Sequence, residues 1–205
     1  MRRTALLLLP VLVVGCGSGH HAGETVISQT GRIGSLHMDR TTRADVIALA
    51  GRPDAERAGE GIGLGVPRFR ALGYGCSKKP TDDAFGLVYP PNGRPGPFCQ
   101  TVFWINQQTG RLGDFYTASG RYSEAHGVRI GMRTEKAEHL LHKRVDSGCS
   151  DLIYLGRPHA DLTIEFNGGT QRTVPGSTAL TIVGGHVEAF ALHGPRSELG
   201  VFDCM

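Results

Sequence analysis

The hexapeptide Arg40-Thr41-Thr42-Arg43-Ala44-Asp45 recurs as Arg133-Thr134-Glu135-Lys136-Ala137-Glu138, and this recurrence narrows the folds open to the chain. In both copies a Thr is a natural helix N-cap, and the acid four residues on falls in the first turn, where the helix dipole favours it. Apolar residues follow at helical spacing. They are Ala44, Ile47 and Ala48, with Val46 and Leu49, in the first copy, and Ala137, Leu140 and Leu141 in the second. The first helix is expected to end at Gly51-Arg52-Pro53, a C-terminal Gly followed by a Pro that cannot continue it. The second lacks that signal and is expected to end around Arg144, where the cations of His142-Lys143-Arg144 suit the dipole.

Each helix leads into strand-forming sequence. After the first, residues 68–74 read as a strand closing on Cys76, and residues 100–105 and 111–116 as a hairpin about Gly110. After the second, residues 151–155 and 162–166 read as strands. Residues 179–183 and 186–192 read as a tight hairpin about Gly184-Gly185. The closing strands also correspond, since Gly110-Arg111-Leu112-x-x-Phe115 answers Gly185-His186-Val187-x-x-Phe190.

The N-terminus has its own logic. Met1-Arg2-Arg3 is followed by an apolar run from Ala5 to Val14 and then by Gly15-Cys16-Gly17. A basic start, a short apolar stretch and small residues at its end are the parts of a secretory signal. A helix of ten or so residues spans about 15 Å, half of a bilayer core of about 30 Å. The run is therefore read as a signal over residues 1–15 rather than as a membrane span. Leu12-Val13-Val14-Gly15-Cys16 resembles the lipobox of bacterial lipoproteins. That resemblance implies a diacylglycerol thioether on Cys16, export by the general secretory route, and a body held to a membrane outside the cytoplasm. Residues 17–30 are polar and read as a flexible tether.

Losing residues 1–15 removes Arg2 and Arg3, which leaves 20 Lys and Arg against 19 Asp and Glu. So balanced a body, with no basic cluster, offers no electrostatic footprint for nucleic acid. With Cys16 carrying lipid, Cys76, Cys99, Cys149 and Cys204 remain, and four cysteines allow three connectivities. Outside the cytoplasm such cysteines pair. Cys76 with Cys99 and Cys149 with Cys204 is the pairing expected, because each bridge then falls within one half of the chain, contributing roughly 3–4 kcal/mol. The fold class is thus α+β. Two tandem units, 31–122 and 123–205, each pack a helix on a small antiparallel sheet with one internal disulfide.

Met38, Thr41, Asp45, Val46, Leu49, Gly51 and Pro53 trace a helix entry that resembles the small outer-membrane-assembly lipoproteins. Gly131-Met132, Thr134 and Leu141 trace it more loosely in the second copy. The tandem arrangement is also similar to the β-lactamase-inhibitor-protein architecture. The first copy has Met38-Asp39 where a Gly is usual. The resemblance spans residues 33–204 and implies a protein that works by contact and is not an enzyme.

No residue set nominates a reaction. There is no Gly-x-Ser-x-Gly, and the Ser, His and Asp residues present have no spacing that selects a triad. Asp82-Asp83 reads as a solvated pair. Gly61-Ile62-Gly63-Leu64-Gly65 lacks the spacing of a dinucleotide loop. His139 and His142 share a helix face, yet a metal would need further ligands that the sequence does not place, so no metal or cofactor is expected. The segment between Cys76 and Cys99 is the candidate binding loop, through Lys78, Lys79, Phe85, Leu87 and Tyr89. The same Phe85, Leu87 and Tyr89 would equally serve as packing for a stapled hairpin, and Trp104 reads as sheet-face packing. The function expected is an exported, lipid-anchored, non-enzymatic module that binds a protein or envelope polymer. The alternatives are a secreted hydrolase with dispersed residues and a small-ligand carrier.

Overall fold

Strands make up most of the described residues, and two short helices interrupt them there. The computed structural model of the protein describes residues 23–59, 69–77, 85–86, 98–145, 152–156, 161–167, 170–173 and 180–194. Three strands come first, β1 (Thr25–Ser28), β2 (Arg32–Ile33) and β3 (Leu36–His37). Helix α1 (Arg43–Ala50) leads to β4 (Ala55–Gly59), β5 (Phe69–Ser77) and β6 (Phe85–Gly86). Strands β7 (Phe98–Asn106), β8 (Leu112–Thr117) and β9 (Tyr122–Glu124) follow. Helix α2 (Thr134–Leu141) precedes β10 (Leu152–Gly156), β11 (Asp161–Asn167), β12 (Thr170–Thr173), β13 (Leu180–Val183) and β14 (His186–His193).

The main layer is an eight-stranded antiparallel sheet ordered β10-β11-β14-β8-β7-β5-β4, with β6 also on β7. One of its faces carries Leu72, Phe103, Phe115, Phe190 and Leu192, all fully buried. Val46 of α1 and Ala137 and Leu141 of α2 pack in that same cluster, together with Ile27 and Ile33 of a four-stranded sheet ordered β3-β2-β1-β9. The other face of the main sheet buries Phe69, Ala71, Val102 and Trp104. Cys76 and Cys99 lie opposite each other in β5 and β7 and are disulfide-bonded, the first of the two bridges expected. Cys16, Cys149 and Cys204 lie outside the described residues.

Strands β8 and β14 meet at the centre of the main sheet. Phe115 faces Leu192 and Thr117 faces Phe190, so the ladder is symmetric about the pair Tyr116 and Ala191. Backbone contacts above it also match. The Asp39 N–H donates to the Leu112 carbonyl, and the Gly131 N–H to the Val187 carbonyl, each over 2.8 Å. Asp39 and Gly131 both hold left-handed backbone, at φ 58° and 77°. Where the sequence lacks the usual Gly, Asp therefore takes the glycine conformation, which Asp and Asn tolerate best among side-chain-bearing residues.

Three sequence expectations are corrected. The stretch expected as a tether to residue 30 is already strand at Thr25. Ile27 is fully buried, and β1 pairs antiparallel with β2 and parallel with β9. Glu24, just before it, takes a two-pronged grip on Arg129, at 2.8 and 3.0 Å. Burial of Ile27 and pairing on both edges of β1 outweighed the polar composition there.

The hairpin expected between β13 and β14 does not form. β13 pairs with β12, while β14 has β11 on one edge and, on the other, β8 against residues 190–193 and the backbone of 131–133 against residues 186–187. Gly184-Gly185 instead meets the start of α2. The Gly184 N–H donates to the Glu135 carboxylate over 2.8 Å, and the Thr134 N–H donates to the Gly185 carbonyl over 2.9 Å.

Third, Thr134 does not cap α2. Arg133 holds the N-cap position without a side-chain bond, and Thr134 is buried inside the first turn. In α1 the cap is Thr42, in a reciprocal box with Asp45. Thr41 turns inward and accepts the His37 N–H at 2.7 Å. The helix ends at Gly51, φ 84°, as its Gly-x-Pro predicts.

Candidate functional site

The candidate site grows out of the composition of α1. All its residues except Arg43 and Asp45 are apolar, yet only Val46 is buried. A helix that is apolar all round cannot hide itself against one sheet face. Ala44 and Ala48 are left in solvent. Leu49, 40% exposed, is the one large apolar side chain left in solvent among the described residues.

Beside this exposed side, α1 and β3 enclose an open groove of about 400 Å³. Leu36 and Thr41 form its floor, each nearly buried, and Ala48 and Leu49 form one wall. Ser35, His37, Arg40 and Asp45 complete the rim. The Asp45 carboxylate is already engaged, accepting from the Thr42 N–H at 2.8 Å and the Thr42 hydroxyl at 2.7 Å. Those bonds, the backbone one first, hold its carboxyl below the ordinary range. Arg111 Nη1 donates to the Arg40 carbonyl at 2.7 Å. No carboxylate among the described residues pairs with the Arg40 guanidinium.

Polar ties fix the groove's helix wall. Glu56 of β4 accepts from Arg43 of α1, at 2.9 and 2.6 Å, and from Arg70 of β5, at 2.9 Å. The bonds from Arg43 and then Arg70 push the Glu56 carboxyl down to about 2. At the helix end the Tyr74 hydroxyl donates to the Gly51 carbonyl at 3.1 Å, and burial pushes that phenol up to about 12. The groove also lies close to where the chain enters the body. A Cβ added at Gly34 would stand 3.2 Å from Thr25 Cγ2 and 4.0 Å from Leu49 Cδ2.

A second polar cluster crosses the β8–β14 junction. His193 Nδ1 lies 2.9 Å from Asp114 Oδ1, with Asp114 fully buried. Nearby Glu165 is pushed above the ordinary carboxylate range, by burial first and by Glu188 second. An Asp–His pair is two-thirds of a hydrolytic triad. Among the described residues, however, no Ser, Thr or Cys hydrogen-bonds to His193.

Of the expected loop residues, Lys78, Lys79, Leu87 and Tyr89 lie outside the described residues, as do Asp82, Asp83 and residues 61–65. Phe85 belongs to β6, where its backbone pairs opposite Cys99. The His139 and His142 rings lie 6.3 Å apart, and no group of three or more His, Cys, Asp or Glu among the described residues could hold a metal ion. No helix there is long and apolar enough to cross a membrane.

No protein-family model matches the chain, and no curated protein matches it. Among solved structures it is similar to the crystal structure of the uncharacterized protein yfeY from Escherichia coli. The two are 16% identical with a TM-score of 0.44, over 82% of this chain and 99% of that chain.

The groove was missed in sequence although its signal was there. Ala44, Ala48 and Leu49 read as apolar residues at helical spacing, but with Val46, Ile47 and Ala50 they leave α1 only Arg43 and Asp45 as polar residues to turn outward. The Asp114–His193 pair had no signal at all, because its partners are brought together only by the β8–β14 ladder.

Proposed function

We propose that this chain is an exported, lipid-anchored protein of the cell envelope that acts by contact with a protein or envelope polymer rather than by catalysis. The observation that carries the contact reading is the apolar outer side of α1, with Leu49 at the wall of an open groove. Apolar surface left in solvent beside a concave space, with polar groups at its rim, suits a docking site. The anchor reading rests on Arg2-Arg3, the short apolar run and Gly15-Cys16. Thr25, where the body's first strand begins, follows Cys16 closely, so the body would stand within about 30 Å of the lipid even with the chain fully extended.

The body is read as two copies of one helix-plus-sheet unit. Two correspondences support this, the matched backbone contacts before each helix and the symmetric register of β8 and β14; they set Thr41 against Met132, two residues out of the register of the repeated hexapeptide. The copies share one continuous sheet instead of closing separately. A second bridge, Cys149–Cys204, would staple the second copy as Cys76–Cys99 staples the first.

A secreted hydrolase is the second reading, and the Asp114–His193 pair favours it. The two are separated in cells by placing photo-crosslinking residues at several exposed positions of the body. Discrete adducts with one envelope component support contact. No adduct at any position, together with turnover of a panel substrate that is lost in His193→Ala, supports the hydrolase and ends the contact reading. The anchor has its own measurement. Labelled lipid enters the wild type and not Cys16→Ser, and a wild-type protein without acyl mass removes it.

A further inference from the structure

We infer that the groove between β3 and α1 is the contact surface, and that it receives a protein segment carrying a large apolar side chain next to a carboxylate. This rests on the contact reading and names its surface and partner chemistry. The apolar half follows from Ala48 and Leu49 on the wall, which are exposed and gain by leaving water. The acidic half follows from an imbalance on the rim. Asp45, the groove's one lining carboxylate, takes the backbone and hydroxyl bonds of Thr42 on Oδ2, and it stands as a single acid against two arginines. Arg40 has no carboxylate partner among the described residues, and Arg111, whose charge acts on Asp45, binds the Arg40 carbonyl. An incoming carboxylate meets Arg40, whereas an incoming ammonium meets an excess of arginine charge over the single lining acid.

Shape selects a protein segment over a lipid surface. A side chain can enter a concave space of about 400 Å³, whereas a bilayer presents a flat face. Helix α2 offers no equivalent. It exposes Glu135, Lys136 and His139, and its first turn is occupied by Gly184 and Gly185.

The test uses the mature full-length body and two fluorescein-labelled peptides, one alternating Leu and Phe with Glu, the other identical with Lys for Glu. Anisotropy is expected to show the Glu peptide binding at least tenfold tighter than the Lys peptide. Leu49→Ser weakens it at least tenfold, Arg40→Glu reverses the charge preference, and Lys136→Glu on α2 changes nothing. Thermal melts report that each variant is folded. The inference is overturned if neither peptide binds, if binding ignores charge, or if Leu49→Ser and Arg40→Glu leave it intact. It is equally overturned if Leu49→Ser abolishes binding to vesicles of phosphatidylethanolamine and phosphatidylglycerol without affecting the peptide. Crosslinked adducts from other surfaces but none from Ala48 would keep the contact reading and discard this groove.

Discussion

Helices α1 and α2 follow matching backbone contacts and pack on the same face of the main sheet, yet they meet solvent differently. The Leu112 N–H donates to the Thr41 carbonyl just before α1, as the Val187 N–H donates to the Met132 carbonyl just before α2. Beyond that point the sequences diverge. Helix α2 buries Thr134, Ala137 and Leu141 and turns charge outward. Helix α1 buries Val46 alone and is held instead by Arg43 through Glu56 to Arg70. One helix is satisfied by its own sheet, while the other is fastened by ion pairs and keeps apolar surface in reserve. Two helices with matching backbone contacts thus differ in how much apolar surface they leave in solvent.

The largest expected effect tests the difference in burial. Leu141→Ala should cost about 3 kcal/mol and Val46→Ala about 2 kcal/mol in urea unfolding, since the larger buried side chain loses more contact and leaves the larger cavity. Amides of α1 should also exchange with solvent at lower free energy than those of α2. A larger cost at Val46, or slower exchange in α1, breaks the comparison.

A smaller pair of changes should differ in sign. Thr42→Ala removes the α1 cap and should cost about 1 kcal/mol. Thr134→Val keeps the volume of a buried side chain whose hydroxyl has no partner, and should stabilise by up to about 1 kcal/mol. Equal losses at both would mean that the two threonines do the same work after all.

The smallest effect is a pH dependence confined to α1. Glu56 has its carboxyl depressed from 4.5 to about 2, so its contribution is full above about pH 4.5 and is lost as the pH falls toward 2. For partly exposed ion pairs this amounts to about 1 kcal/mol at most. Stability curves of wild type and Glu56→Gln should therefore converge at low pH and separate above 4.5. Parallel curves through that window would remove the ion-pair tie from the account of α1.

Local sequence made much of this legible. Gly51-Arg52-Pro53 ended α1, Gly110 turned β7 into β8, and the strands around Cys76 and Cys99 came out facing each other with the bridge between them. Of the candidate site, the apolar α1 could be read but its outward side could not. A list of apolar residues at helical spacing does not say how many of them one sheet can cover. The misreadings share a cause. β13 was assigned to β14 because Gly184-Gly185 looks like a hairpin turn, but β11 and β8 compete for the same edges from far along the chain.

By itself, then, the sequence determined both helices and the strands beside Cys76 and Gly110, where α1 stops, and that two similar stretches lie in one chain, because such preferences are set by a residue and its near neighbours. Only the tertiary structure decided that the strands form one sheet through β8 and β14, that Asp114 and His193 meet there, and that Leu49 stays in water. Those outcomes depend on which distant segments win a limited set of backbone partners and a limited area of apolar surface, and no local pattern encodes that competition.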